Sequence, residues 1–132
     1  METDTISFTH DMTKKGWRLV DDFSYPKDIS VANLELIPFS NRSEVLSGAK
    51  MREEAKRMNA NLGQYHAEFL LKHQREIPKE WKNYLLVFPG TVWQLGKSLV
   101  VPFLGWGSKH WFLDFYWLEH NWPSHFRFVR PS

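Results

Sequence analysis

Side chains that could take part in chemistry are concentrated on one segment near the C-terminus. Successive side chains of a β-strand point to opposite faces, so a strand from Lys109 to Leu118 puts one set on the same face: His110, Phe112, Asp114 and Tyr116. An imidazole, a carboxylate and two aromatic rings on one face are typical of a sheet surface that meets a ligand. The alternative is structural, with helices covering this face and both polar groups hydrogen-bonded locally. An open face would indicate a site, and a covered face would indicate a structural role.

A polar loop follows that strand. It contains Glu119 and His120, and Arg127 lies in the apolar segment beyond it. Loops that connect strands often carry functional residues. Acid-base catalysis, however, needs a positioned pair of titratable groups, and the loop contains neither an ordered triad nor paired carboxylates. We therefore predict no catalytic residue. The predicted ligand or partner site consists of His110, Phe112, Asp114, Tyr116, Glu119, His120 and Arg127.

The histidines do not follow a metal-binding pattern. His66 and His73 would share a helix face but lie about 10 Å apart along the axis, whereas a zinc ligand lies about 2 Å from its ion. Phosphate-binding loops and dinucleotide fingerprints are absent from the sequence. The chain contains no cysteine, which excludes disulfides, thiolate metal sites and a cysteine nucleophile. We predict no metal and no cofactor.

The middle of the chain has the spacing of helices. Apolar residues recur every three or four positions from Met51 to Phe69, which places them on one helix face. Asn61 and Gly63 interrupt this pattern, and Asn61 followed by Gln64 resembles a capping box. These features predict two helices, or one bent helix, in a helical middle of about 44–83.

After Tyr84 the spacing changes to that of strands. Segments of strand length are separated by Pro89-Gly90, Gly96-Lys97 and Gly107-Ser108, all of which suit tight turns. We predict an antiparallel β-meander of four to five aromatic-rich strands. Pro102 is expected at an edge or a bulge, because proline cannot donate a hydrogen bond to the ladder.

The C-terminal strands are also expected to build the core. Six of the seven tryptophans fall between Trp81 and Phe128. In the strand that carries the predicted site, four apolar residues share the opposite face and are predicted to be buried: Trp111, Leu113, Phe115 and Trp117.

The order of elements defines the predicted fold class. An N-terminal extended segment, then helices, then strands indicates α+β, in a single domain covering residues 1–132. The longest apolar runs are far shorter than the roughly 20 residues that cross a membrane. The acidic N-terminus lacks the features of a signal peptide. We therefore expect no membrane association and a cytoplasmic location.

The composition favours a non-catalytic protein-interaction or binding module over an enzyme, because tryptophan, tyrosine and arginine are enriched at interface hot spots. A protein partner or a second copy, in a homodimer formed through exposed aromatic residues, is the preferred partner class. One alternative is single-stranded nucleic acid, with Phe112 and Tyr116 as stacking platforms and Lys109, Arg127 and Arg130 as cations. Another is a small hydrolase-type enzyme that uses His, Asp and Glu residues of the sheet and the loop.

Overall fold

The chain adopts a mixed α+β fold, in a computed structural model that describes residues 8–39, 46–123 and 125–132. Two helices pack against a curled seven-stranded sheet, and five of its strands lie in the C-terminal half. This confirms the predicted α+β class. The expected start of the helical middle, at about residue 44, falls outside the described residues.

Two α-helices occupy the predicted helical region, α1 (Gly48–Arg57) and α2 (Gln64–Lys72). The hydroxyl of Ser47 caps α1 by accepting a hydrogen bond from the backbone N–H of Lys50 at 3.2 Å. The predicted capping box at Asn61 is wrong, because α2 begins after Gly63 and other groups cap it. Two 3-10 helices, Gln74–Glu76 and Lys79–Asn83, lead from α2 into the sheet.

The sheet takes strands from both ends of the chain. Its order is β1-β4-β5-β3-β7-β2, with β6 on the other side of β5. The predicted meander corresponds to the hairpins β4–β5 and β5–β6, while β7 lies parallel to β3. The bounds are β1 (Arg18–Asp21), β2 (Leu34–Pro38), β3 (Leu85–Val87), β4 (Val92–Leu95), β5 (Ser98–Gly107), β6 (His110–Trp117) and β7 (Phe126–Pro131).

Strands β3 and β4 form one interrupted strand along β5. Both pair antiparallel with β5, and the chain leaves the ladder between them at Phe88–Thr91. The N–H of Gly90 in this excursion donates to the carbonyl of Leu62 at 2.9 Å, so the excursion reaches the break between the helices. On the edge away from β5, β3 pairs with β7, which in turn pairs with β2, whereas β4 pairs with β1. The sheet therefore divides into two branches.

Pro102 occupies the position in β5 that faces this interruption. Its carbonyl accepts a hydrogen bond from the N–H of Phe88 at 3.0 Å. The N–H and C=O of one strand residue point to the same side, so the donor that proline lacks would also face the interruption. Pro102 is thus tolerated because the neighbouring ladder is interrupted there, although β5 is not an edge strand.

Apolar side chains cover both faces of the sheet. On the α1 side, Met51 and Ala55 pack on sheet residues that include Val101 and Phe128. On the α2 side lie the side chains that were predicted to be buried: Trp111 and Leu113 in one cluster, Phe115 and Trp117 in another. The predicted buried face of α1 is confirmed. On β6 only Trp111 is fully buried, while Leu113, Phe115 and Trp117 are half-buried. Within the described residues, no helix has the length and apolar character needed to cross a membrane.

Candidate functional site

The predicted face of β6 is covered at one end and open at the other. The ring of Tyr116 packs at centroid distances of 4.6 Å from Trp122 and 5.4 Å from Phe126. Phe112 is half-buried and meets Phe103 edge-on at 6.3 Å. His110 and Asp114, also on this face, are exposed. The structural interpretation therefore holds for the Tyr116 end alone.

The titratable groups of the predicted site are bound separately. Nδ1 of His110 lies 3.0 Å from the carbonyl oxygen of Trp111, and the carboxylate of Asp114 accepts from the N–H of Phe115 at 2.8 Å. The ring of His120 packs against the rings of Tyr116 and Trp117.

Glu119 is held by hydrogen bonds within its own loop and to β5. Its own backbone N–H and the Ser98 hydroxyl lower the pKa of its carboxyl group. In the parts of the chain that the structure describes, no three His, Cys, Asp or Glu residues are arranged to hold a metal ion.

Arg127 belongs to a different environment. Its guanidinium lies 4.1 Å from the centroid of the Tyr84 ring, and it donates to the carbonyl of Phe126 at 3.0 Å. Lys82 covers the ring of Trp106 in the same way, at 3.8 Å. These cations occupy ring faces on which nucleic-acid bases would stack.

Two grooves on the surface each include one residue of the predicted site. A groove of about 460 Å³ lies between the start of α1 and the loop after β6, and Glu119 lines it. A second, of about 480 Å³, lies between the N-terminal 3-10 helix (Met12–Lys15) and β6, and Asp114 lines it. The structure thus distributes the predicted site over separate parts of the surface, and its binding role stays a prediction.

The main exposed apolar surface lies on β1 and the segment that follows it. Five large apolar side chains are exposed among the described residues, and four of them fall within one short stretch: Leu19, Val20, Phe23 and Tyr25. We call these four the N-terminal strip. The fifth, Trp106, lies on β5. Exposed apolar side chains concentrated in one stretch of chain can mark an interaction site, which makes the strip a candidate interaction surface.

The backbone of the strip is fixed by polar groups of the protein interior. The hydroxyl of Thr91 donates to Asp22 at 2.6 Å and accepts from the N–H of Gln64 at 2.8 Å, which also caps α2. A Cβ on Gly63 would lie 2.3 Å from the carbonyl oxygen of Phe23, so only glycine permits this approach. The strip is therefore held close to the start of α2, with its side chains in solvent.

Further anchors lie at either end of the strip. Arg52 of α1 forms an ion pair with Asp21 at 2.9 Å and donates to the carbonyl of Pro89 at 3.1 Å. At the other end, the hydroxyl of Tyr65 donates to the carbonyl of Lys27 at 3.3 Å. Both helices thus contribute to holding the segment.

His66 supplies a buried anchor from the first turn of α2. Its Nδ1 accepts from the N–H of Gly63 at 2.9 Å, so the ring proton is on Nε2, which lies 2.7 Å from the carbonyl oxygen of Pro26 and donates to it. A protonated ring would direct a second donor at the N–H of Gly63. Burial lowers the pKa of His66 accordingly.

We expect this anchor to weaken in acid. The folded-state pKa of His66 lies below the unfolded value of about 6.5, so between the two pKa values the unfolded chain binds the proton that the folded chain does not. The contribution is complete above about pH 6.5 and is lost as the pH falls, by up to about 1.4 kcal/mol per pH unit. Urea unfolding from about pH 7 to about pH 5 measures this slope.

The variant His66→Gln provides the comparison for that slope. Glutamine does not titrate, so its stability should fall less steeply with acid than that of the wild type, whatever its stability at neutral pH. Equal slopes in the two proteins would contradict the assignment.

Asp22, between Val20 and Phe23, is the other ionisable group of this region whose pKa is shifted by burial. Burial raises the pKa of its carboxyl group. One of its carboxylate oxygens is buried without a hydrogen-bond partner among the described residues.

Sequence reasoning missed the strip because exposure there is a tertiary property. The N-terminal segment was predicted to be extended, and β1 lies in it, but the exposure of its adjacent apolar residues Leu19 and Val20 is set by the tertiary structure. The usable signal was the departure from alternation, since a half-buried strand alternates apolar with polar residues.

Comparison with protein-family models, with curated proteins and with solved structures gave no match to this chain. The function is therefore argued from the geometry of the described residues.

Proposed function

We propose that this chain is a non-catalytic protein-interaction module that binds an extended segment of a partner by adding a strand to β1. The observation that carries the proposal is the state of β1: among the described strands it pairs with β4 alone, and all four of its residues are exposed. An edge strand presents unpaired backbone N–H and C=O groups to an incoming strand. Strand addition uses these groups for affinity and neighbouring side chains for specificity.

The side chains of the strip suit that role. Phe23 and Tyr25 are aromatic residues directly beyond the edge strand, 36% and 66% exposed. Aromatic side chains dominate the energetics of protein interfaces. The strip therefore supplies apolar contacts beside the backbone edge.

Preorganisation is the second support for the proposal. Ordering a flexible loop on binding costs about 0.5–1.5 kcal/mol per immobilised side chain, in addition to the backbone. The carbonyls of Phe23, Pro26 and Lys27 already contact α2 or the residue that precedes it. Much of the backbone cost of binding is therefore met by folding.

Selection of random linear peptides displayed on phage, followed by titration of a labelled winner, tests the proposal. We expect Val20→Asp and Phe23→Ala each to weaken binding by about tenfold or more, because both remove exposed apolar contact at the centre of the site. Two versions of the peptide should be compared, one N-methylated at the odd-numbered and one at the even-numbered backbone nitrogens. Only one of them should lose binding, since an added strand directs every second N–H at its neighbour.

Trp106→Ala is the matched control. Trp106 is 36% exposed, as is Phe23, but it lies on β5. Its replacement should leave peptide affinity unchanged. Selected peptides that bind Val20→Asp as tightly as the wild type would refute strand addition at β1.

A further inference from the structure

We propose that the partner is a second copy of this chain, joined by antiparallel pairing of the two β1 strands about a two-fold axis, with Arg18 opposite Asp21 of the second copy. This inference rests on the proposed function and identifies its partner. It follows from the bulge in β1, from the charges at the two ends of the strand and from the exposure of both charged side chains.

The bulge determines which side chains of β1 share a face. Gln94 and Val92 lie on one face of β4, and Arg18 and Asp21 lie opposite these two residues. Directly opposite residues share a face, so Arg18 and Asp21 do as well. Val20 is the extra residue of the bulge. Without it, two side chains three positions apart would point to opposite faces.

This shared face permits a register that a regular strand would forbid. Two identical antiparallel strands lie side by side about a two-fold axis normal to the sheet. Rotation about this axis does not exchange the two faces, so a residue and its copy lie on the same face of the joined sheet. Directly opposite residues must share a face. Because of the bulge, Arg18 and Asp21 meet that condition, and Leu19 then lies opposite Val20 of the second copy.

The charges of the segment are complementary to themselves in this register. The N-terminal residue of β1 is the basic Arg18, and its C-terminal residue is the acidic Asp21. Antiparallel pairing places each basic end beside an acidic end, and the two-fold axis creates every contact twice. Parallel pairing would instead place like charges together.

The exposed state of both residues leaves them able to pair. Arg18 is exposed and donates to Gln94 through one of its guanidinium nitrogens, which leaves further donors on the same group. The side chain of Asp21 remains 52% exposed although it binds Arg52. A second cation can therefore reach this carboxylate.

Sedimentation equilibrium of charge-reversed variants tests the register. The wild-type chain should show a concentration-dependent equilibrium between monomer and dimer. Arg18→Asp and Asp21→Arg should each weaken the dimer by about tenfold or more, because like charges then meet twice across the axis. An equimolar mixture of the two variants should dimerise like the wild type, because each variant complements the other.

Arg75→Asp and Glu76→Arg are the controls. These exposed residues of a 3-10 helix after α2 carry the same charges and lie outside β1. Their reversal should leave the dimer unchanged. Dimers that persist in both β1 variants, or a mixture that stays monomeric, would overturn the register.

The two proposals fail in different ways. A wild-type chain that remains monomeric up to its solubility limit, yet binds a selected peptide at the strip, would overturn self-pairing and leave strand addition intact. Loss of both peptide binding and dimerisation in wild-type protein would overturn both.

Discussion

Gly48→Ala is expected to lower the free energy of unfolding by about 3 kcal/mol or more, at the upper end of what overpacking costs. A Cβ at this position would lie 1.6 Å from the carbonyl oxygen of Leu118, which is a backbone atom. A flexible side chain could move away from such a contact, whereas here α1 and the end of β6 must separate. Urea unfolding followed by circular dichroism measures the loss.

Gly16→Ala separates this packing effect from the general cost of replacing glycine. Gly16 has a φ of 83° and open space around its Cβ position. Its replacement should cost about 1–2 kcal/mol, the penalty of a left-handed backbone for a residue with a Cβ. Equal losses in the two variants would show that α1 does not rest on Leu118 as described.

Gln64→Leu is expected to lower the free energy of unfolding by about 3 kcal/mol, although the substitution is apolar and conserves most of the volume. Gln64 is fully buried, its Oε1 accepts from the indole N–H of Trp93 at 2.8 Å, and its Nε2 donates to the carbonyl of His10 at 2.8 Å and to Glu68 at 3.1 Å. Leucine leaves these partners buried without their bonds, and each unmet group costs about 1–3 kcal/mol.

Denaturant unfolding and tryptophan fluorescence together test this network. The emission of Trp93 should shift in Gln64→Leu, because the indole loses its acceptor. Gln74→Leu is the matched control: Gln74 is half-buried at the start of the 3-10 helix after α2 and bonds backbone groups of Trp111 and Leu71. Its cost should be nearer 1 kcal/mol. A neutral effect of Gln64→Leu would contradict the network.

Periodicity was sufficient to predict the elements and the buried faces. Helical spacing identified Met51 and Ala55 as buried, and alternation identified Trp111. Both patterns are local, and the core enforces them because a one-residue slip would expose a whole face.

Pairings between distant segments could not be predicted in the same way. The parallel pairing of β3 with β7 and the attachment of β2 to β7 depend on contacts that no turn specifies. The division of the sheet arises from the excursion at Phe88–Thr91, which reads in the sequence as an ordinary turn. The position of β1 at an edge follows from that division.

The predicted site shows the same limit. Alternation correctly placed His110 and Tyr116 on one face, but only the end near Tyr116 is covered, by Trp122 and Phe126. Which end of a strand lies beneath another element depends on the path of the chain after the strand. The exposure of each side chain, and hence which surface could bind a partner, could be read only from the tertiary structure.

The branched sheet also has a consequence for the order of folding. Hairpins β4–β5 and β5–β6 join neighbouring segments, whereas bonds from β1 to β4 and from β2 to β7 span 76 and 95 residues. Closing such long loops is slow, because their entropy is lost before any contact forms. During synthesis, β1 leaves the ribosome before its neighbour in the sheet exists. The backbone N–H and C=O groups of β1 therefore stay unpaired until β4 has been made, and this is when the nascent chain is most exposed to aggregation.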